Sequence, residues 1–278
     1  MAALFCACKK PAPNEATPQP PPSIAETTRP TPSIEVKASL VVPAPCRALR
    51  VTGDVHAVGG TRLTTSGPID GKTWFELAAD ASVAIRHGPS SREFELRGPG
   101  RALPCRAGLE QVLLSEGSFE SSPGAGVRPG AEMWVATPFV ALRYGDASLT
   151  MRARAKDLSV RIVQGRAASE ADGSTTSEAL TAPGEKRWTR WLPPSERARS
   201  CEAFADAARK SAEELLASTS ELGKLAAAQL EQRRRARAHC LIAETALERL
   251  PNTAEKSRLT DQLERANRLW QTIPAMVR

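Results

Sequence analysis

The chain has few aromatic residues and no long apolar run, and both scarcities limit what it can be. Phe, Trp and Tyr make up 4% of its 278 residues, and Tyr144 is the single tyrosine. A folded core must therefore come mostly from Leu, Val, Ile and Ala, the remaining apolar side chains. Because no run of about 18 consecutive apolar residues occurs, we expect no membrane-spanning helix.

Metal-binding and catalytic motifs are also missing from the sequence. The histidines His56, His87 and His239 are far apart, and no Cys/His spacing typical of a zinc site occurs. No GxSxG, Walker A, GxGxxG or HExxH motif is found. Asp54 and His56 would share one face of a strand, but no nucleophile accompanies them. We therefore expect a non-catalytic protein that uses no cofactor and no metal.

The net charge of +7 is spread along the chain. Nucleic-acid-binding proteins usually concentrate basic residues on one face or in one domain, so we expect no nucleic-acid partner. The one dense basic run occupies residues 233–237 (RRRAR), on a predicted helix. Such a run is typical of a solvated helix face. The alternative is contact with an anionic surface such as phospholipid headgroups.

The six cysteines fall into three pairs along the chain: Cys6 and Cys8, Cys46 and Cys105, and Cys201 and Cys240. The four internal cysteines supply one pair to each predicted domain. An even number in this arrangement fits disulfides that form in an oxidising compartment.

The N-terminus reads as the end of an export signal followed by a tether. Residues 1–8 (MAALFCAC) are apolar and precede two lysines, and residues 9–45 are rich in proline, with ten prolines between Pro11 and Pro45. Such a tract buries no core and should be an extended tether. The order resembles that of a bacterial lipoprotein signal, in which Cys8 would be lipidated. A complete signal needs a basic segment and about 7–15 apolar residues, so we expect the true start to lie upstream. The alternative is the unstructured N-terminus of a cytoplasmic protein.

From residue 46 to about residue 190 the sequence alternates short strand patterns with turn signals. Residues 92–97 (REFELR) and 158–163 (LSVRIV) alternate apolar and polar positions, as half-buried strands do. Turn signals recur roughly every 8–12 residues, which predicts an all-β sandwich or a β-solenoid-like stack. Gly98 and Gly117 are predicted to end strands. Further strands are predicted at residues 51–55, 74–77, 82–86, 111–114, 134–137, 140–144 and 148–153.

Several segments in this region resemble the FecR domain. Residues 134–148 (WVATPFVALRYGDAS) are similar to its central motif, and residues 158–165 (LSVRIVQG) are similar to the strand and glycine that follow it. Further similarities are found at residues 53–55 (GDV), 63–67 (LTTSG), 80–85 (DASVAI) and 113–117 (LLSEG). The resemblance spans roughly residues 50–167 and implies a periplasmic β domain used in sensing or envelope assembly. Well-known members signal through a transmembrane segment to a cytoplasmic sigma factor. No such segment is recognised here, so direct sigma-factor control is not part of the expectation.

The motif positions of this resemblance are Thr137, Pro138, Arg143, Gly145, Asp146 and Gly165. The family usually has Gly-Thr where this chain has Gly145-Asp146, so a carboxylate replaces a hydroxyl. Pro138 lacks a backbone donor and should mark an edge or a corner of the sheet. We expect these positions to be mainly structural, and direct ligand contact is the alternative.

The last third of the chain, residues 195–278, is predicted to be a helical hairpin or three-helix bundle. Pro193 and Pro194 precede a helix start at which Ser195 could be the cap. The midpoint between Cys201 and Cys240 falls between Ser220 and Glu221, next to the poor helix formers at residues 218–220. A hairpin that turns there would place the two cysteines side by side. The competing interpretation is one helix from residue 195 to 250, which would hold them about 58 Å apart.

Together these patterns predict a multidomain α+β protein: a signal remnant (residues 1–8), a tether (9–45), a FecR-like β domain (46–190) and a helical bundle (195–278). The leading hypothesis is a lipid-anchored, periplasm-facing protein of the bacterial cell envelope, whose β domain binds a ligand, a glycan or a partner protein. One alternative is a periplasmic sensor or regulator that relays a signal to a membrane partner. Another is an enzyme that processes envelope polymers, although the sequence cannot pair the two carboxylates that such chemistry needs.

Overall fold

The structure of the protein, a computed structural model, describes residues 46–64, 66–88, 90–106, 110–123, 131–171, 174, 176–189, 192–217 and 222–271. Its strands are β1 (Cys46–Thr52), β2 (Val55–Ala57), β3 (Gly67–Ile69), β4 (Phe75–Leu77), β5 (Ser82–His87), β6 (Glu93–Leu103), β7 (Gln111–Ser121), β8 (Met133–Ala136), β9 (Val140–Tyr144), β10 (Ser148–Ala153), β11 (Leu158–Gln164), β12 (Arg166–Ala171), β13 (Ser177–Thr181) and β14 (Gly184–Trp188). Its helices are α1 (Pro194–Ala217), α2 (Leu222–Leu247) and α3 (Ala254–Gln271). The expected α+β class with a helical C-terminal part is confirmed.

Strands and helices belong to one compact unit, Val42–Arg278. The division into a β domain at 46–190 and a bundle at 195–278 stays a prediction. The signal remnant and the tether predicted at residues 1–45 lie outside the described residues.

The long hairpin β6–β7 joins two halves of the sheet, because each of its strands changes neighbours midway. Residues 93–97 of β6 pair with β5, whereas residues 100–102 pair with β4. Strand β7 begins in parallel beside β8 and ends antiparallel beside β10. Two arms result: a first arm in the order β3-β1-β5-β6-β7-β10-β11-β14, and a second arm in the order β2-β4-β6-β7-β8-β9-β12-β13.

Three glycines allow the β6–β7 hairpin to pass from one arm to the other. A Cβ atom on Gly98 would lie 1.8 Å from the carbonyl oxygen of Ala78, and one on Gly100 would lie 2.3 Å from that of Glu116. Gly117 has a φ of +113°, a backbone conformation that residues other than glycine rarely adopt. The prediction that strands end at Gly98 and Gly117 was therefore wrong. These glycines mark close backbone approach inside continuous strands.

The main core lies between the two arms, because alternate side chains of each strand point into it. Phe119 of β7, Leu142 of β9 and Leu149 of β10 are fully buried in this one cluster. Burying a side chain of this size contributes about 1.5–3 kcal/mol. Strand patterns with period two were read correctly from the sequence, since alternation records which side of each strand faces the core.

Helix α2 covers the outer surface of the second arm. Leu241 and Ile242 of α2 pack with Leu113 of β7 and Trp134 of β8 in a second apolar cluster. Strands β8 and β9 are thus buried on both faces, which explains why they read as continuous apolar runs. Among the described residues, no helix is long and apolar enough to cross a membrane.

The helices form the predicted hairpin with a third helix against it. Cys201 of α1 and Cys240 of α2 are disulfide-bonded with their Cα atoms 4.5 Å apart, which rules out one long helix. A second disulfide joins Cys46 to Cys105, at 6.0 Å between Cα atoms. The expected disulfides are therefore present. Besides Cys201, α1 contributes the partly buried Phe204 and four buried alanines to the interhelical core: Ala198, Ala205, Ala208 and Ala212.

The predicted cap at Ser195 was wrong, because Ser195 lies inside the first turn of the helix. Helix α1 begins at Pro194, and the carbonyl oxygen of Pro193 accepts hydrogen bonds from the amides of Glu196 (3.0 Å) and Arg197 (3.2 Å). Proline is favoured at the first helical position because its missing N–H would have no partner there. The predicted turn at residues 218–220 lies outside the described residues.

Candidate functional site

The outward surface of the first arm carries a groove of about 390 Å³. Its floor is built by strands β6, β7, β10, β11 and β14, which are neighbours in that order. Because Phe119, Met151 and Val160 point into the core, the residues on either side of them point outward. We call this site the outer-face groove; its polar lining residues are Glu95, Arg97, Ser118, Glu120, Thr150, Arg152, Arg154, Ser159, Arg161 and Glu185.

Strand register places one outward residue of each of these five strands in a line. Arg97 is opposite Ser118, Ser118 is opposite Arg152, and Arg152 is opposite Ser159. Ser159 is in turn opposite Arg187 of β14. We call these five residues the arginine–serine row. Arginine and serine alternate along it, so each guanidinium has hydroxyl neighbours on the adjacent strands.

The end of the groove on β6 and β7 is acidic. Glu95 and Glu120 are directly opposite each other, and the Arg97 guanidinium bridges their carboxylates at 2.8 Å and 3.3 Å. Arg50 lies 3.9 Å from Glu95 on the other side. The hydrogen bond from Arg97 lowers the pKa of Glu95 below its ordinary value. Glu95 is therefore an ionised hydrogen-bond acceptor at neutral pH.

The middle of the groove is basic and electrostatically unsatisfied. Within the described part of the chain, the side chains of Arg152, Arg154 and Arg161 make no ion pair and no hydrogen bond, and all three are exposed. Arg187, at the far end, pairs with Asp157 at 2.6 Å. Guanidinium groups stay charged at any physiological pH and offer five donors each. This part of the groove can therefore accept an anion from outside the protein.

A different charged region holds α2 on the second arm. Arg106 pairs with the half-buried Glu244, whose pKa is raised by its partial burial. The guanidinium of Arg237 lies 4.9 Å from the centre of the Trp134 ring, and burial lowers its pKa to about 10. The basic run at residues 233–237 is thus not simply a solvated helix face, because its last arginine packs against the sheet.

Thr137 and Pro138 form the tight turn between β8 and β9. The Thr137 hydroxyl accepts hydrogen bonds from the amides of Phe139 (3.2 Å) and Val140 (3.1 Å) and donates to the Val140 carbonyl (3.0 Å). This buried hydroxyl satisfies backbone groups that the turn leaves without strand partners. Pro138 thus occupies a corner where no ladder hydrogen bond is needed.

Of the other motif positions, Arg143 lies on β9, and the rest lie at the β9–β10 and β11–β12 turns. Gly165 has a φ of +80°, and a Cβ atom there would lie 2.2 Å from the carbonyl oxygen of Asp146. The fully buried Arg92 donates to the carbonyl of Gly145 at 2.5 Å. Arg143 points away from the core, pairs with Glu132 and lies 5.9 Å from the Trp134 ring. These contacts are structural, and none of the six positions lines the outer-face groove.

The remaining sequence candidates are scattered. Asp54 and His56 form an exposed pair, with 2.8 Å between Oδ2 and Nε2, and Arg62 completes the cluster at 3.0 Å. Cys8 lies outside the described residues. Sequence analysis did not identify the groove residues as a site. The alternation in β10 and β11 does show that Arg152 and Arg161 face outward, but which residues they neighbour depends on the pairing of strands from distant parts of the chain.

No protein-family model matches the chain, and no curated protein matches it. Similar solved structures include two crystal structures of a proposed anti-sigma factor from Parabacteroides distasonis ATCC 8503. The structure at 1.65 Å resolution is 12% identical, with a TM-score of 0.33 over 46% of this chain and 65% of that one. The structure at 2.50 Å is 11% identical, with a TM-score of 0.25 over 44% and 57%. The match spans less than two thirds of either neighbour, and the FecR-domain resemblance stays a prediction.

Proposed function

We propose that this chain is a non-catalytic binding protein of the bacterial cell envelope, lipid-anchored at Cys8 and facing the periplasm. Its strand-rich part binds a glycan or a partner protein through the outer-face groove. The observation that carries the proposal is the set of exposed arginines without partners, Arg152, Arg154 and Arg161, on adjacent strands. An exposed guanidinium next to hydroxyl groups is a typical element of a polar binding surface.

The disulfides support the envelope part of the proposal. Both bridges are buried within apolar clusters. Cys46–Cys105 joins β1 to the loop after β6, and Cys201–Cys240 joins α1 to α2. Structural disulfides of this kind form and persist in the periplasm and are rare in the cytosol. The lipid anchor rests on the resemblance of residues 1–8 to a lipoprotein signal.

The ionisation of the groove favours binding over hydrolysis. Glu95 and Glu120 supply the carboxylate pair that the sequence alone could not assemble, but Arg97 bridges them. A glycoside hydrolase needs one carboxylic acid with a raised pKa to protonate the leaving group. The pKa of Glu95 is lowered instead. We expect the chain to release no soluble fragments from envelope polymers; release that stops in Glu95→Gln would overturn the non-catalytic proposal.

The binding function is tested by co-sedimentation of the purified protein with isolated bacterial envelopes, with Cys8→Ser in every sample so that no lipid anchor holds the chain to the membrane. We expect wild type to sediment with the envelopes and the Arg152→Gln/Arg161→Gln variant to remain largely in the supernatant. Arg166→Gln is the matched control, because it removes an exposed arginine of β12 on the other arm. Equal sedimentation of all three proteins would contradict the proposal.

A second candidate function, the relay of a signal to a membrane partner, is favoured by the position of α2. This helix is held by Arg106–Glu244 and Arg101–Glu248 ion pairs on the second arm, and β6 and β7 belong to both arms. Occupation of the groove could therefore reach the helices through these two strands. Hydrogen exchange decides between the functions: a relay predicts changed protection in α1–α3 when ligand binds, and simple binding predicts changes only in β6, β7, β10, β11 and β14.

A further inference from the structure

The arginine–serine row has the spacing and chemistry of a site for an extended acidic chain. Neighbouring strands lie about 4.8 Å apart, so Arg97, Arg152 and Arg187 recur about every 10 Å across the sheet. We propose that the outer-face groove binds an acidic polysaccharide, whose carboxylates pair with Arg152 of this row and with Arg154 and Arg161 beside it. Arg97 and Arg187 are already paired with carboxylates of the protein and flank the site. This inference rests on the binding function proposed above and names its ligand class.

Arg152 is the central contact of the proposed site. It lies between Ser118 and Ser159 on the adjacent strands, and no carboxylate of the described residues neutralises it. A guanidinium can bind a carboxylate through two parallel hydrogen bonds, a geometry that a lysine ammonium cannot reproduce. The flanking serine hydroxyls can donate to the same carboxylate or to ring oxygens of the sugar.

The acidic residues of the groove favour a sugar chain over other polyanions. Glu95, Glu120 and Glu185 lie on the outward surface beside the arginines. These carboxylates would repel a surface of uninterrupted negative charge, but they accept hydrogen bonds from the hydroxyl groups of a sugar. An acidic polysaccharide carries carboxylates and hydroxyls in turn. The alternating arginines and glutamates therefore complement it more fully than they complement a phosphate chain.

The apolar surface also argues against a lipid bilayer as the occupant. Val58 and Val163 are the large hydrophobic residues exposed in the described part of the chain, at 43% and 56%. Amphipathic surfaces that bind bilayers bury a continuous apolar face in the headgroup region. Val163 instead stands alone, two residues beyond Arg161 on the outward side of β11. One isolated valine can pack against the apolar face of a sugar ring.

The test is titration calorimetry of the purified full chain carrying Cys8→Ser, which has no lipid anchor, with polygalacturonate, and neutral dextran serves as the control polymer. We expect binding to polygalacturonate that weakens with added salt, and none to dextran. Arg152→Gln and Arg161→Gln should each weaken binding about tenfold, the effect of losing one charged hydrogen-bonding partner. Arg152→Lys should weaken it as well, because it keeps the charge but loses the paired donors, and Arg166→Gln should bind as wild type does.

Thermal melting of each variant checks that the fold is intact. Polygalacturonate binding that is unchanged in Arg152→Gln/Arg161→Gln would overturn the inference. Equal binding of dextran, of single-stranded DNA or of phosphatidylglycerol vesicles would overturn it too. If envelope co-sedimentation depends on the two arginines but polygalacturonate does not bind, the ligand class is wrong and the binding function stands. If neither depends on them, both proposals fall.

Discussion

The helical hairpin should depend strongly on its disulfide. Helix α1 contributes mainly alanines to the interhelical core, and an alanine buries far less apolar area than a leucine does. The Cys201–Cys240 bridge closes a loop of 39 residues, and the entropy that it removes from the unfolded chain corresponds to about 4 kcal/mol of stability at 25 °C. Opening this bridge should therefore remove much of the stability of the hairpin.

Urea unfolding in the Cys46→Ala/Cys105→Ala background isolates this effect, because reduction there opens only the Cys201–Cys240 bridge among the internal cysteines. With an m value of about 2–3 kcal/mol/M, the loss corresponds to a midpoint shift of roughly 1.3–2 M urea. The signal is helical circular dichroism of the oxidised and reduced forms. Coincident unfolding curves of the two forms would refute the reasoning.

Three further predictions concern buried groups and close contacts. Burial raises the pKa of Glu170 above its ordinary 4.5. The stability tied to its protonation is therefore present below pH 4.5 and is lost as the pH rises past the raised pKa. Glu170→Gln should melt at a higher temperature than wild type at neutral pH and at the same temperature near pH 4, and a lower melting temperature at neutral pH would contradict this. Burial lowers the pKa of His239 from 6.5 to about 4, so stability should fall as the pH drops from 6.5 towards 4. The urea midpoint of His239→Leu should not fall over this pH range. A fall as large as that of wild type would show that another group causes it. Gly100→Ala should cost about 3 kcal/mol or more in urea unfolding because its Cβ meets a carbonyl oxygen of β7, whereas Gly67→Ala, with open space around its Cβ, should be close to wild type; equal stability of the two variants would show that the hairpin relaxes.

Most strands were predictable because alternation of apolar and polar residues is a local signal. Strand β10 was predicted at residues 148–153 and is found there, since each of its inward side chains reaches the core. Strands β13 and β14 show a much weaker signal: they are edge strands with no fully buried residue, and each places a single large apolar side chain, Leu180 or Trp188, at the margin of the core. The sequence pattern at Gly98 and Gly117 misled for a related reason, because the close approach that requires glycine there involves residues far away in the chain.

The helical hairpin was predictable from two cysteines, but the outer-face groove was not predictable from any motif. Cys201 and Cys240 constrain the turn because a disulfide joins only residues that lie close together. The groove depends instead on the register between β10 and β11, which aligns Arg152 with Ser159. The register is set by the packing of both arms around the core, so it cannot be predicted from any short sequence segment.

The most direct test of the envelope assignment is thiol labelling and intact mass of the native protein isolated from bacterial cells. The account predicts a chain in the envelope fraction that begins at an acylated Cys8. It also predicts that Cys46, Cys105, Cys201 and Cys240 react with a thiol reagent only after reduction. A chain in the cytosolic fraction with an unmodified N-terminus and six reactive thiols would contradict it.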